Sequence, residues 1–238
     1  MLREIDRDLW VTEQPLRYFG LSVGTRMTVV RLANGELVVI SPIQVNESLA
    51  SQLNKIGTVK HIIAPNLYHY FFVAGFKTRY PQATLWAAPG LEVKQPELPI
   101  DRTIDRASNQ LWDGLAFVFF EGFRTLGSAG FESLNECVFF HLPSRTLILT
   151  DIAFHFDESF PPLTQFATRI TGGYKRLSPS LLEKIATTDK EKVRSSVERV
   201  LKWDFERVVM AHGSIIEQGG KEKFRQGYER FLGEHHKI

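Results

Sequence analysis

The chain has 238 residues, 43% of them hydrophobic and 24% charged, which supplies a sizeable core and excludes a disordered or fibrous composition. At about 150 residues per domain, one large domain spanning 1–238 is the expectation. Its 29 Lys and Arg nearly cancel its 27 Asp and Glu, and a net charge of +2 is too little field to hold a nucleic-acid backbone.

In chain order, RMTVVRL, the pair Asn34 and Gly35, then ELVVI give the strongest short hairpin signal a sequence can carry. NESLASQLNKIG follows with Leu49, Leu53 and Ile56 at helical spacing, Asn46 as N-cap and Gly57 as the stop. VKHII reads as a buried strand. After the loop around Pro65 a second helical stretch runs to Tyr80, and TLWAA is the next strand. Strand, helix, strand is a layered α/β unit.

From Gly90 to Arg106 prolines and mixed charges predict an irregular surface loop. LAFVFFEGF, ECVFFHL and TLILTDIAF are aromatic and β-branched, and predict a second sheet. Residues 154–180 hold Pro161, Pro162, Gly172 and Gly173 and are long for a loop, so they form an insertion or an active-site cover. Thr188 with Glu191 reads as a capping box opening a helix faced by Val193, Val197, Val200 and Leu201. ERVVMAHG is a last strand, and Phe224, Tyr228, Phe231 and Leu232 stripe a final helix.

The single cysteine, Cys137, excludes an internal disulfide framework and any multi-cysteine metal site, and inside an apolar strand it reads as a buried inert thiol. MLREIDRDLW lacks the apolar stretch of a signal peptide, and no run approaches the ~20 apolar residues of a bilayer span. A cytoplasmic protein without a membrane partner is the expectation.

Three ionisable residues stand where strands run out into loops, which is where layered α/β folds place their chemistry: His69, Asp151 and His212. Each has a plain structural reading beside the functional one. A histidine at a strand end more often hydrogen-bonds within the fold than ligates a metal, and an Asp there often caps the following loop. His155 and Asp157 read as solvent-exposed loop residues, and His235 and His236 carry no argument. Tyr68, Tyr70, Phe71 and Phe72 are aromatics at a site mouth or packing groups, and packing is the expectation for Phe71 and Phe72. Gly172 and Gly173 with Lys175 and Arg176 lack the GxxxxGK spacing of a phosphate loop.

The tails LTDIAF and VVMAHG resemble the metallo-β-lactamase superfamily, in which one strand ends in an Asp metal ligand and a later one in His-Gly. The superfamily's HxHxDH loop lies on this sequence without gaps when its last His is His69, which places Ala64, Asn66 and Tyr68 at the preceding motif positions and Tyr80-Pro81 at a common Tyr-Pro. The Gly-His segment falls on Phe131 and Glu132. In this register the three imidazoles of the first metal site become Ala64, Asn66 and Glu132. The second site keeps His69, Asp151 and His212 and loses only its Asp, replaced by Tyr68. Within that superfamily the sequence resembles the subgroup called the domain of unknown function 4336.

The resemblance implies a four-layer αββα sandwich and a metal-dependent hydrolase with one divalent ion, zinc or iron, on His69, Asp151 and His212. Tyr68 would donate a hydrogen bond to an oxyanion, and a small molecule would be the substrate. It also leaves open a metal-free, inactive descendant serving as a binding or scaffold module, and a harder oxygen site made by Glu132, Asn66 and Asp151.

Overall fold

The computed structural model describes residues 1–108, 110–127 and 130–233, so His235 and His236 lie outside it. Along a strand neighbouring side chains point to opposite faces, and here both faces are apolar. The first sheet is seven-stranded. It begins with β1 (Arg3–Asp6) and β2 (Leu9–Gln14) and, past the small hairpin of β3 (Arg17–Tyr18) and β4 (Leu21–Ser22), continues with β5 (Thr25–Arg31) and β6 (Glu36–Ile40). It ends with β7 (Thr58–Ala64), β8 (Thr84–Ala87) and β9 (Arg102–Thr103). The β5–β6 hairpin is antiparallel, and Gly35 takes its turn at φ +82°, where a side chain would be strained. From β6 onward the strands run parallel, as crossover helices require.

Those helices are α1 (Glu47–Ile56) and α2 (Val73–Arg79). Asn46 caps α1 as expected, its Oδ1 accepting from the Leu49 N–H at 2.9 Å. The segment expected to be irregular carries the short α3 (Leu91–Lys94) and then β9, which pairs with β8. The prolines there did not prevent an edge strand, because an edge needs bonding on one side only.

The second sheet runs β10 (Gln110–Trp112), β11 (Leu115–Phe120), β14 (Glu136–His141), β15 (Thr146–Ile148) and β16 (Arg207–Val209), with β12 (Arg124–Gly127) and β13 (Gly130–Ser133) forming a separate hairpin. Four helices follow β15 in sequence: α4 (Pro162–Thr171), α5 (Leu181–Ala186), α6 (Lys190–Leu201) and α7 (Gly220–Leu232). The cap of α6 is Asp189, which accepts from the Lys192 N–H, so the cap sits one residue after the expected Thr188 and is a simple side-chain cap. A capping box does occur at Ser180–Glu183 of α5, a helix the sequence reading did not foresee.

Alternation then yields three apolar layers. Val29, Val39, Ile62 and Leu85 pack under α1 and α2 with Leu49, Leu53 and Phe76. Their strand neighbours Val30, Val38 and Ile63 meet Phe117, Cys137, Phe139 and Ile148 between the sheets. On the far side Val118, Val138, Phe140 and Leu147 pack with Val193, Val197, Phe224 and Tyr228 of α6 and α7. Helix, sheet, sheet, helix is the resulting order, the four-layer αββα sandwich. Cys137 is buried there, and burial raises its thiol well above the usual range, in keeping with an inert side chain.

Candidate metal centre

The register of the second sheet sets two of the candidate groups level. Parallel strands β15 and β16 pair Ile148 with Val209, and the Leu149 N–H donates to the Val209 carbonyl at 2.9 Å. Three residues beyond that pair the chain reaches Asp151 on one strand and His212 on the other. In the first sheet Ile40 pairs with Ile63, so Ser41 and the loop carrying His69 emerge at the same end. Because the sheets face each other, the ends meet.

His69, Asp151 and His212 each offer a ligand atom within 4.8 Å of the others. His69 Nε2 lies 3.1 Å from Asp151 Oδ2, His212 Nε2 lies 3.4 Å from Asp151 Oδ1, and the two ring centroids are 5.2 Å apart. The outer nitrogens are anchored. His212 Nδ1 is 2.5 Å from the Gly24 carbonyl, which only accepts, so this nitrogen carries a proton and Nε2 is the ring atom turned towards Asp151. His69 Nδ1 is 2.6 Å from Ser41 Oγ, a hydroxyl that can donate or accept, and this contact orients the ring with Nε2 towards Asp151. Burial would raise the Asp151 carboxyl, but the two imidazoles outweigh it and hold the group well below the usual carboxylate range. Burial likewise opposes charge on His69, and the Asp151 carboxylate more than offsets it, raising that imidazole. These bonds replace the loop-capping role that Asp151 could have had.

Beneath the three groups lies a buried polar network. Asn66 is fully buried; its Oδ1 accepts from the Tyr68 and His69 N–H groups, both at 2.8 Å, which bends the loop that presents His69. Its two amide protons face Asp151 Oδ2 at 2.8 Å, Thr150 Oγ1 at 2.9 Å and Glu136 Oε2 at 3.1 Å. Glu136, also fully buried, accepts from the N–H groups of Thr150 and Asp151, both at 2.7 Å. Burial, then the Asp151 charge, push its carboxyl up to about 7.

Tyr68 and Glu132 stand together on another wall. The Tyr68 hydroxyl donates to Glu132 Oε2 at 2.9 Å, and Lys94 Nζ donates to the same oxygen at 2.8 Å while lying 3.7 Å from the Tyr68 ring centroid. Burial and the Glu132 carboxylate raise the phenol far above its ordinary value. With Asn66 Oδ1 given to backbone N–H groups and Glu132 bound to Tyr68 and Lys94, the harder oxygen site with Asp151 does not assemble.

The sequence matches the family described as "Domain of unknown function (DUF4336)" over residues 6–170. The chain belongs to this family. Its fold is that of the metallo-β-lactamase superfamily: a metallo-β-lactamase from Pontibacter korlensis superposes with a TM-score of 0.67 at 14% identity, covering 98% of this chain and 99% of that one. The lactamase FIM-1 from Pseudomonas aeruginosa in its mono-zinc form gives 0.64 at 10% identity, covering 98% and 96%. The Flv1 flavodiiron core from Synechocystis sp. PCC6803 gives 0.64 at 11%, covering 98% of this chain and 60% of that chain. A comparison with curated proteins finds no match.

In this DUF4336 chain several groups that shape the centre escaped the sequence reading. Ser41 could have been found as a hydroxyl directly after an apolar strand, and Glu136 as the only acid inside ECVFFH. Arg26 left no signal. It is buried, donates to the carbonyls of Met210 and Gly213, and so holds the turn bearing His212 against β5. Gly213, at φ +104°, lies so close to His155 that a Cβ would come within 2.2 Å of its carbonyl oxygen. His155 itself is half-buried with Nδ1 3.2 Å from the Ser214 carbonyl, and Asp157 is half-buried too; neither is the exposed loop residue expected. Phe71, expected to pack, is 75% exposed and stacks only on Tyr70 at 4.8 Å.

Proposed function

We propose that the protein is a metal-dependent hydrolase with a single divalent ion, zinc or iron, held by His69 Nε2, Asp151 and His212 Nε2. The observation that carries this reading is the convergence of His69 Nε2, His212 Nε2 and the Asp151 carboxylate within 4.8 Å of one another, with both outer nitrogens anchored by Ser41 and by Gly24. Such an ion supplies Lewis acidity towards a carbonyl and activates water.

The residues around it have narrow roles. Asp151, held ionised across ordinary pH, is a ligand and charge partner and a poor general base. Tyr68 keeps its proton, so it is not a base; that one proton goes to Glu132, and Tyr68 would donate to an oxyanion only on turning away from that carboxylate. A bridging hydroxide between two ions is not part of this chemistry, because Asn66 occupies its side of the centre as a donor to Asp151. The substrate is a small molecule with a hydrolysable acyl or related bond; fold likeness does not narrow it further.

One observation favours the second reading, an inactive descendant that keeps the fold for binding. Asp151 already has two imidazole partners and an amide donor, and that cluster is electrostatically compensated without a cation. Elemental analysis of protein purified without chelator separates the readings. Close to one equivalent of zinc, iron or manganese, with a thermal midpoint that falls on chelation, supports the hydrolase; no metal and no response to added zinc supports the binding module.

A further inference from the structure

Two helices of this protein are turned inside out. In a surface helix the apolar stripe normally faces the core. Helix α4 instead buries Thr164 and Thr168 and exposes Leu163, Phe166 and Ile170, each more than 60% accessible. Helix α5 buries Glu183, whose carboxylate accepts from Thr125 Oγ1 at 3.2 Å and from its own cap, and exposes Leu181, Leu182 and Ile185. Exposed apolar side chains arranged this way mark an interaction surface.

The charge around them is mostly positive, the exposed Glu158 at the entry to α4 being the exception. Between residues 161 and 186 the chain has Arg169, Lys175, Arg176 and Lys184, and its only acid is the buried Glu183. The C-terminal end of α4 and the start of α5 border one groove of about 600 Å³, which also takes Arg230 from α7. Lys175, which lines the groove, is paired with Glu158 at 2.9 Å, and Arg169 lies over the Tyr174 ring at 3.9 Å. Both helices rest on hairpins that flank the metal centre: Thr164 Oγ1 donates to the Ser22 carbonyl of β4, and α5 is held to β12 by Thr125. At the turn of the β3–β4 hairpin Tyr18 and Phe19 are 47% and 74% exposed.

We propose that this surface docks onto the interface of an anionic lipid bilayer, with the apolar side chains of α4, α5 and the β3–β4 turn inserted among acyl chains and the basic residues on headgroup phosphates. Composition excludes a spanning segment, and no helix among the described residues is long and apolar enough to cross a membrane; a helix lying in the interface needs neither. A second copy of the chain is a poorer occupant, because a two-fold contact would set these cations against themselves. An acidic protein is also poorer: the apolar groups sit on two helices and a separate hairpin tip, and a fluid interface receives such scattered projections without shape complementarity.

The test is co-sedimentation of the full chain with phosphatidylcholine vesicles, with and without phosphatidylglycerol. The protein should pellet with the anionic vesicles, stay in solution with the neutral ones, and be released at about 0.5 M salt, where charges are screened within a few ångströms. Phe166→Asp with Ile170→Asp, and separately Arg176→Glu with Lys184→Glu, should each weaken pelleting by more than about tenfold, with thermal midpoints near the parent's because all four side chains are exposed. Failure of the parent to pellet, equal pelleting on neutral vesicles, or parent-like binding by both folded double variants would overturn the proposal. A parent dimer split by the two Asp substitutions would assign the face to a second copy, and binding to polyglutamate as tight as to vesicles would assign it to an acidic protein; either overturns the bilayer.

Discussion

His69, Asp151 and His212 bring three possible ligand atoms to one point, whereas Asn66, Glu136 and Tyr68, at the same end of the sandwich, spread their polar atoms over neighbouring backbone and side chains. On the proposed reading the first set takes an added positive centre. The second has no place for one, because each donor there already has an acceptor. In the register proposed from the resemblance, Asn66 and Tyr68 stand at ligand positions of the superfamily, and here Asn66 with Glu136 frames the proposed centre. Asn66 shows it best, since one amide both bends the His69 loop and orients Asp151.

The difference can be broken from either side. Asp151→Ala removes the only anion among the three ligands and should lower zinc affinity more than about 100-fold, beyond what outer partners usually cost; competition with a chromogenic chelator measures it, and an unchanged affinity would sink the assignment. Glu136→Ala leaves the Thr150 and Asp151 N–H groups without their acceptor, which should cost about 2–3 kcal/mol of stability in urea unfolding even with no metal present. A parent-like midpoint would show that the network is not a frame.

Ser41→Gly sharpens the comparison, because two effects separate. Ser41 sits at φ +54°, where glycine is at ease, so stability should hold or rise, while loss of the hydroxyl on His69 Nδ1 should weaken zinc binding about tenfold. Tyr68→Phe should have the smallest effect, about 1 kcal/mol or less in stability with zinc affinity unchanged. Glu132→Ala should also keep its zinc, and metal loss in that variant would mean that the register placing Glu132 outside the retained site is wrong.

Much of this was legible in the chain. The hairpin at Asn34–Gly35, the Asn46 cap and the stripe of α7 were written in local chemistry, and the strand-end rule together with the superfamily resemblance singled out His69, Asp151 and His212. The misreadings have a common cause in tertiary context. Edge pairing made β9 from a proline-rich stretch, and an inverted helix cannot be recognised as such from its period, which is the same whichever face is buried. Ser41 and Arg26 act through contacts with residues far along the chain, and Arg26 with Gly213 spans 187 positions that no local pattern encodes.

That span also sets an order of events. The His212 ring is oriented by the carbonyl of Gly24, 188 residues earlier. At a synthesis rate of about 5–20 residues per second, roughly 10–40 s separate the two as they leave the ribosome. Throughout that interval the nascent chain can offer His69 and later Asp151, but never the third ligand in its proper orientation. The proposed centre therefore cannot close before His212 has emerged, with only α7 still to follow, and a cation arriving earlier would meet a half-made cup with nothing to hold it shut.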